Sequence, residues 1–170
     1  MKNISQADTK ETLLHAYALL NDVTPLKADC GALCFGACCK PDADGQGGVH
    51  LFPGEKERLM NAEWASLRDC PDLGTCTMLT CLSPCLRDER PMGCRMFPLT
   101  PIYKKNGEWD VRLDIRAWAM CPLMSGGLRG LNPDFVQNAR QAIQIMAQND
   151  ALLVFLRRWT KLERSFHIKL

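Results

Sequence analysis

The sequence predicts a small α+β domain with helices at both ends, a short β-hairpin or small sheet, and a loop-rich centre that carries the cysteines. Three observations lead there. Apolar residues recur at helical spacing near both ends of the chain. An Asn106-Gly107 pair marks a tight turn between extended segments. All ten cysteines lie between Cys30 and Cys121. With 170 residues the chain is long enough for one domain with its own hydrophobic core. That domain reads as an N-terminal helix within 1–29, a cysteine region over 30–121 and a helical pair within 132–170.

Taken in order, Asp8 with Glu11 three positions on reads as a capping box. The stripe Leu13, Leu14, Tyr17 and Leu20 follows, and Asn21 to Pro25 ends the helix. His15 lies beside the stripe as a surface or half-buried residue. Between 30 and 47, Gly31, Gly36, Pro41, Gly45 and Gly47 break both helical and strand periods. Val49 to Phe52 reads as a short strand, and Pro53 opens a short helix toward Leu59. Residues 70–98 read as loop, with Pro71, Pro84, Pro91 and Pro98. After the Asn106-Gly107 turn, Val111, Leu113 and Ile115 alternate with charged residues, the period of a half-buried strand. Asn132 caps a helix that begins at Pro133 and turns Val136, Ala139, Ile143 and Met146 inward. Asp150 caps a second, with Leu152, Phe155, Leu156, Trp159, Leu162 and Phe166 as its buried stripe.

Composition narrows the function classes. Apolar residues are 46% and charged residues 24%, ordinary for a soluble globular protein. A net charge of +2 gives no reason to expect attraction to nucleic acid or to a membrane. Arg157, Arg158, Lys161 and Arg164 read as a solvated helix face. The N-terminus has no apolar core of signal-peptide length, and no stretch is long enough to span a bilayer. The expected compartment is the cytoplasm, where clustered cysteines bind metal or do redox chemistry rather than form stable disulfides.

The cysteines carry the chemistry. A loop-rich centre buries little apolar surface, and metal–thiolate bonds can take the place of the missing core. Cys30, Cys34 and Cys38 recur every four residues, and Cys39 follows directly. Neighbouring side chains in extended chain point apart, so Cys38 and Cys39 can serve different ions, bridge two, or leave one as a plain buried thiol. Cys70, Cys76, Cys81, Cys85, Cys94 and Cys121 supply the second half. The count allows two four-thiolate sites or one four-iron cluster, with thiols to spare. Two to four are expected to be inert buried residues, drawn mainly from Cys70, Cys81 and Cys85. His50, the histidine inside this region, reads as a surface or core residue on its short strand, with ligation as the alternative. No Cys-x-x-Cys is present to suggest a thioredoxin-like centre. Gly45-Gln-Gly-Gly48 lacks the lysine of a phosphate loop. Glu55, Asp110 and Asp114 read as solvated charges.

The blocks Cys30-x3-Cys34-x3-Cys38-Cys39, Gly74-Thr-Cys76 and Arg90-Pro91-Met-Gly-Cys94-Arg95, over roughly 30–121, resemble a known family. It is the cysteine-cluster family of zinc- or iron-chelating domains, small proteins carried by many bacteria, whose opening is close to Cys-x3-Cys-x2-Cys-Cys. The run here is one residue longer before the cysteine pair, and residues 80–89, with Cys81 and Cys85, look like an insertion. The resemblance implies metal ligation by Cys30, Cys34, Cys38, Cys39, Cys76 and Cys94, with Cys121 as a further candidate. It implies zinc or iron, an iron–sulfur cluster included, as the bound species. Arg90 and Arg95 are expected to orient thiolate sulfurs or neighbouring carbonyls. The cysteine run is also similar to that of flagellin lysine N-methylases, which implies an iron–sulfur-dependent redox or group-transfer enzyme as the alternative. A third alternative is a disulfide-stapled domain outside the cytoplasm.

Overall fold

The computed structural model describes residues 6–28, 30–40, 47–74 and 76–167. The elements are α1 (Gln6–Leu20), a one-turn α2 (Gly31–Cys34), β1 (Val49–His50), a one-turn α3 (Lys56–Leu59), β2 (Ala65–Cys70) and β3 (Cys76–Cys81). They continue with α4 (Met92–Met96), β4 (Leu99–Tyr103), β5 (Trp109–Leu113), α5 (Pro133–Met146) and α6 (Asp150–His167). The result is an α+β fold with helices at both ends, as the periodicities predict, and two small antiparallel sheets where one hairpin or small sheet is expected.

The principal core lies where α1 packs along α5, and α5 and α6 close over the β4–β5 hairpin. Leu13, Ala16 and Leu20 of α1 meet Phe135, Ala139, Ile143 and Met146 of α5 and Leu152, Phe155, Leu156 and Trp159 of α6. Asn132 caps α5, its side chain accepting the Asp134 N–H, with Pro133 in the first turn. The hairpin turns at Asn106-Gly107, with Gly107 at φ 87°, a conformation a side chain resists.

The local signals differ from the structure in several places. Asp8 lies inside α1, so it is not the cap; it accepts instead from Asn149 Nδ2 at 3.2 Å. The cap of α6 is Asn149 rather than Asp150: its Oδ1 accepts the N–H groups of Ala151 and Leu152 at 3.1 and 3.2 Å. Strand β5 stops at Leu113, because Asp114 accepts the Arg116 N–H and starts a 3-10 turn. β1 covers only Val49 and His50 of the expected strand. Within 70–98, read as loop, Cys76–Cys81 is strand β3 and Met92–Met96 is helix α4; β3 pairs with β2 (Ala65–Cys70) in a three-stranded sheet of order β1-β3-β2. Its register sets Cys70 opposite Cys76, and His50 opposite Met78. Among the described residues no helix is long and apolar enough to cross a membrane.

Glu55 and Asp114 are not solvated. Glu55 is fully buried, and Asp114 is buried against Arg116, whose Nη2 lies 2.5 Å from its Oδ2. Asp110 is half-buried between Lys104 and Arg140. The Arg157, Arg158, Lys161 and Arg164 face is exposed.

Candidate metal centre

β3 brings chemistry to each of its ends. At its start, Cys76 pairs with Cys70 at the end of β2, and the neighbouring β1 turns His50 toward them. His50 Nε2 lies 3.5 Å from Cys70 Sγ, and the ligand atoms of His50, Cys70 and Cys76 all lie within 4.8 Å of one another. The β2–β3 turn adds Asp72, whose Oδ2 is 3.2 Å from Cys70 Sγ and 3.7 Å from His50 Nε2. Cys76 Sγ donates to the Cys70 carbonyl at 2.8 Å.

Local and long-range contacts hold this turn in place. The Gly74 N–H donates to the Pro71 carbonyl at 2.9 Å, and Gly74 takes φ 88°. Arg158 Nη1 of α6 donates to the Leu73 carbonyl at 3.0 Å. The His50 ring meets Trp159 edge-on, with centroids 5.6 Å apart.

Electrostatics favour a neutral imidazole. Burial lowers the His50 pKa and the Arg116 charge adds to that, while Asp72 opposes both. Burial pushes the Cys70 thiol up to about 11. Metal binding replaces that proton, since the ligand is the thiolate. A nitrogen and two sulfurs converge here, with the exposed Asp72 carboxylate beside them, as a group that could hold a metal ion.

The other thiols gather elsewhere. Cys38 Sγ lies 4.0 Å from Cys39 Sγ. Cys39 is hydrogen-bonded to Cys81 as well as to Cys38, and with Arg90 nearby these bonds hold its pKa well below the usual thiol range despite its burial. Cys38 is pushed upward by its bond to Cys39 and by burial, and Cys81 by the same two causes. Cys94 is raised by burial, with the charges of Cys39 and Cys85 adding to it. Burial works against the Arg90 charge, but the Cys85 sulfur, with Cys39 and Cys94 adding to it, outweighs burial and raises its pKa. Arg95 serves carbonyls: it donates to Arg90 O at 3.0 Å and to Asp88 O at 2.8 Å.

The residues singled out by sequence therefore fall into separate places. Cys38, Cys39 and Cys94 line one cleft, and Cys76 joins two partners outside the implied set. Cys34 Sγ approaches the Cys30 carbonyl at 3.9 Å. Burial raises the Cys121 thiol. His50 and Cys70 join a donor group only through strand register, which no local motif encodes. Cys70, expected among the inert thiols, has polar sulfur contacts with His50 and Asp72. None of the ten cysteines is in a disulfide.

Scanned against protein-family models, curated proteins and solved structures, the chain matches none.

Proposed function

We propose that the protein is a cytoplasmic metal-binding protein that chelates zinc or iron through clustered cysteine thiolates, with His50 as a nitrogen ligand. One observation carries this reading: His50, Cys70 and Cys76 present three ligand atoms mutually within 4.8 Å. A neutral imidazole nitrogen and thiols that deprotonate on binding are ligand types for zinc and iron alike. The bound ion would supply Lewis acidity or a structural clamp, according to its remaining coordination positions. His50 and Asp72 would set its orientation, and Trp159 would exclude water from one side. The order of the cysteine blocks, which resembles the zinc- or iron-chelating family, supports the same class.

Metal analysis of protein purified without oxygen tests the reading. The expected result is a stoichiometric metal that Cys70→Ser and His50→Ala each reduce. Folded wild-type protein free of metal would sink it. An absorption spectrum of the same sample separates iron from zinc, since thiolate-bound iron is coloured and zinc is not.

A further inference from the structure

Asp114 uses only part of Arg116. Its carboxylate accepts from Arg116 Nε at 2.9 Å and Nη2 at 2.5 Å, the lateral edge of the guanidinium fork. Among the described residues Nη1 makes no hydrogen bond. The terminal edge, with one N–H from each of Nη1 and Nη2, is therefore open.

The group is held still. Asp114 is buried and caps the 3-10 turn Ile115–Ala119, accepting the Arg116 N–H at 2.9 Å. The guanidinium rests over the Trp159 ring at 5.5 Å and over the Phe166 ring at 5.7 Å. Trp159 is fixed in turn, its Nε1 donating to the buried Thr100 Oγ1 at 2.8 Å. A cation locked in this way loses little freedom when it binds a ligand.

Arg116 lines a solvent-connected cleft of about 690 Å³, a volume ordinary for a small-molecule site. Phe97, Leu99, Trp159, Leu162 and Phe166 give the cleft an apolar wall. We propose that this cleft binds a small organic carboxylate with an apolar body, and that Arg116 is its anchor. The two coplanar oxygens of a carboxylate match the open edge of the fork. A phosphate dianion fits worse, because Asp114 beside the fork and Asp72 in the same cleft oppose a second negative charge. The His50 ring meets the same Trp159 edge-on, and His50 and Asp72 also line the cleft, so the anchored ligand shares its compartment with the candidate metal centre. The inference goes beyond the metal-binding reading and needs no ion, since the donors that hold the carboxylate belong to Arg116.

The test is calorimetric titration of the full chain, as purified, with benzoate, phenylacetate and 3-phenylpropanoate, each against its neutral primary amide. At least one acid is expected to bind about tenfold or more tighter than its amide, the scale of one charge-assisted pair. Arg116→Gln should abolish that preference. Acids that bind no better than their amides overturn the proposal. So does inorganic phosphate binding tighter than every acid, and so does an acid preference that survives Arg116→Gln. Should that variant not fold because Asp114 loses its partner, Arg116→Lys decides, since it keeps a cation for Asp114 but has no fork. The acid preference is then expected to fall by about fivefold or more, and an undiminished preference overturns the proposal. Metal content is measured on the same sample. Metal-free protein that still prefers the acid sinks the metal reading alone, and metal-loaded protein without the preference sinks this proposal alone.

Discussion

The Glu55 carboxylate accepts the backbone N–H of Met92 at 2.7 Å, across 37 positions of sequence. It also accepts the Phe52 N–H at 2.7 Å and the Tyr17 hydroxyl. This fully buried side chain therefore pins α4, which carries Cys94, to the loop that leaves His50. Arg58 supports it from outside by donating to Tyr17 Oη at 3.0 Å, and the Arg58 and Arg95 guanidinium groups stack on the Tyr17 ring at 4.8 and 4.5 Å.

Glu55→Ala removes an acceptor from two buried N–H groups and a hydroxyl at once. The expected loss is about 2–4 kcal/mol, because unsatisfied buried donors forfeit their desolvation cost. A chemical-denaturation midpoint well below that of the wild type checks this; an unchanged midpoint contradicts it.

Metal removal should lower stability. A ligand held at one hundred times its dissociation constant adds about 2.7 kcal/mol to the folded state. Chelation is expected to lower the melting temperature by about 5–10 °C for a chain of this size. Scanning calorimetry with and without chelator reads the difference.

Asp110 gives a pH prediction. Burial alone would raise its carboxyl, but Lys104 Nζ and Arg140 Nε, each 2.6 Å away, outweigh burial and hold its pKa down to about 2. A depressed folded-state pKa contributes stability that is complete above the ordinary value of 3.8 and is lost as pH falls toward 2. Asp110→Asn should cost about 1 kcal/mol at neutral pH, given the partly exposed partners. The gap between variant and wild type should close across that acid window.

Gly93 sits beside Cys94 in α4. A Cβ there would lie 2.4 Å from Val49 Cγ2 and 3.7 Å from Trp159 Cη2. Alanine would gain helix propensity of about 1 kcal/mol, yet overpacking costs about 1–3 kcal/mol. The expected outcome of Gly93→Ala is net destabilisation in urea melts. Gly126→Ala, where a Cβ meets nothing within 4 Å, is the control and should stay within about 0.5 kcal/mol.

Much of the fold is legible because its signals are local. Asn132-Pro133, Asn106-Gly107 and the stripe from Leu152 to Trp159 each act within a few residues. The β2–β3 ladder is hidden. Ala65–Cys70 has only Cys70 buried, and Cys76–Cys81 mixes cysteine and threonine between turn residues, so neither run shows clean alternation. The donor group is harder still. His50, Cys70 and Cys76 meet through the pairing of three strands, and residue spacing carries no register. Glu55 reads as an ordinary surface charge because two of its three donors, Tyr17 and Met92, come from distant stretches.

The odd number of steps between Cys76 and Cys81 has a consequence for how this chain can change length. Inserting or deleting one residue in the strand would flip one sulfur to the side of the other and merge the two neighbourhoods. A change of two would preserve the sidedness and alter only the span. Tolerated length variants of β3 should therefore come in pairs.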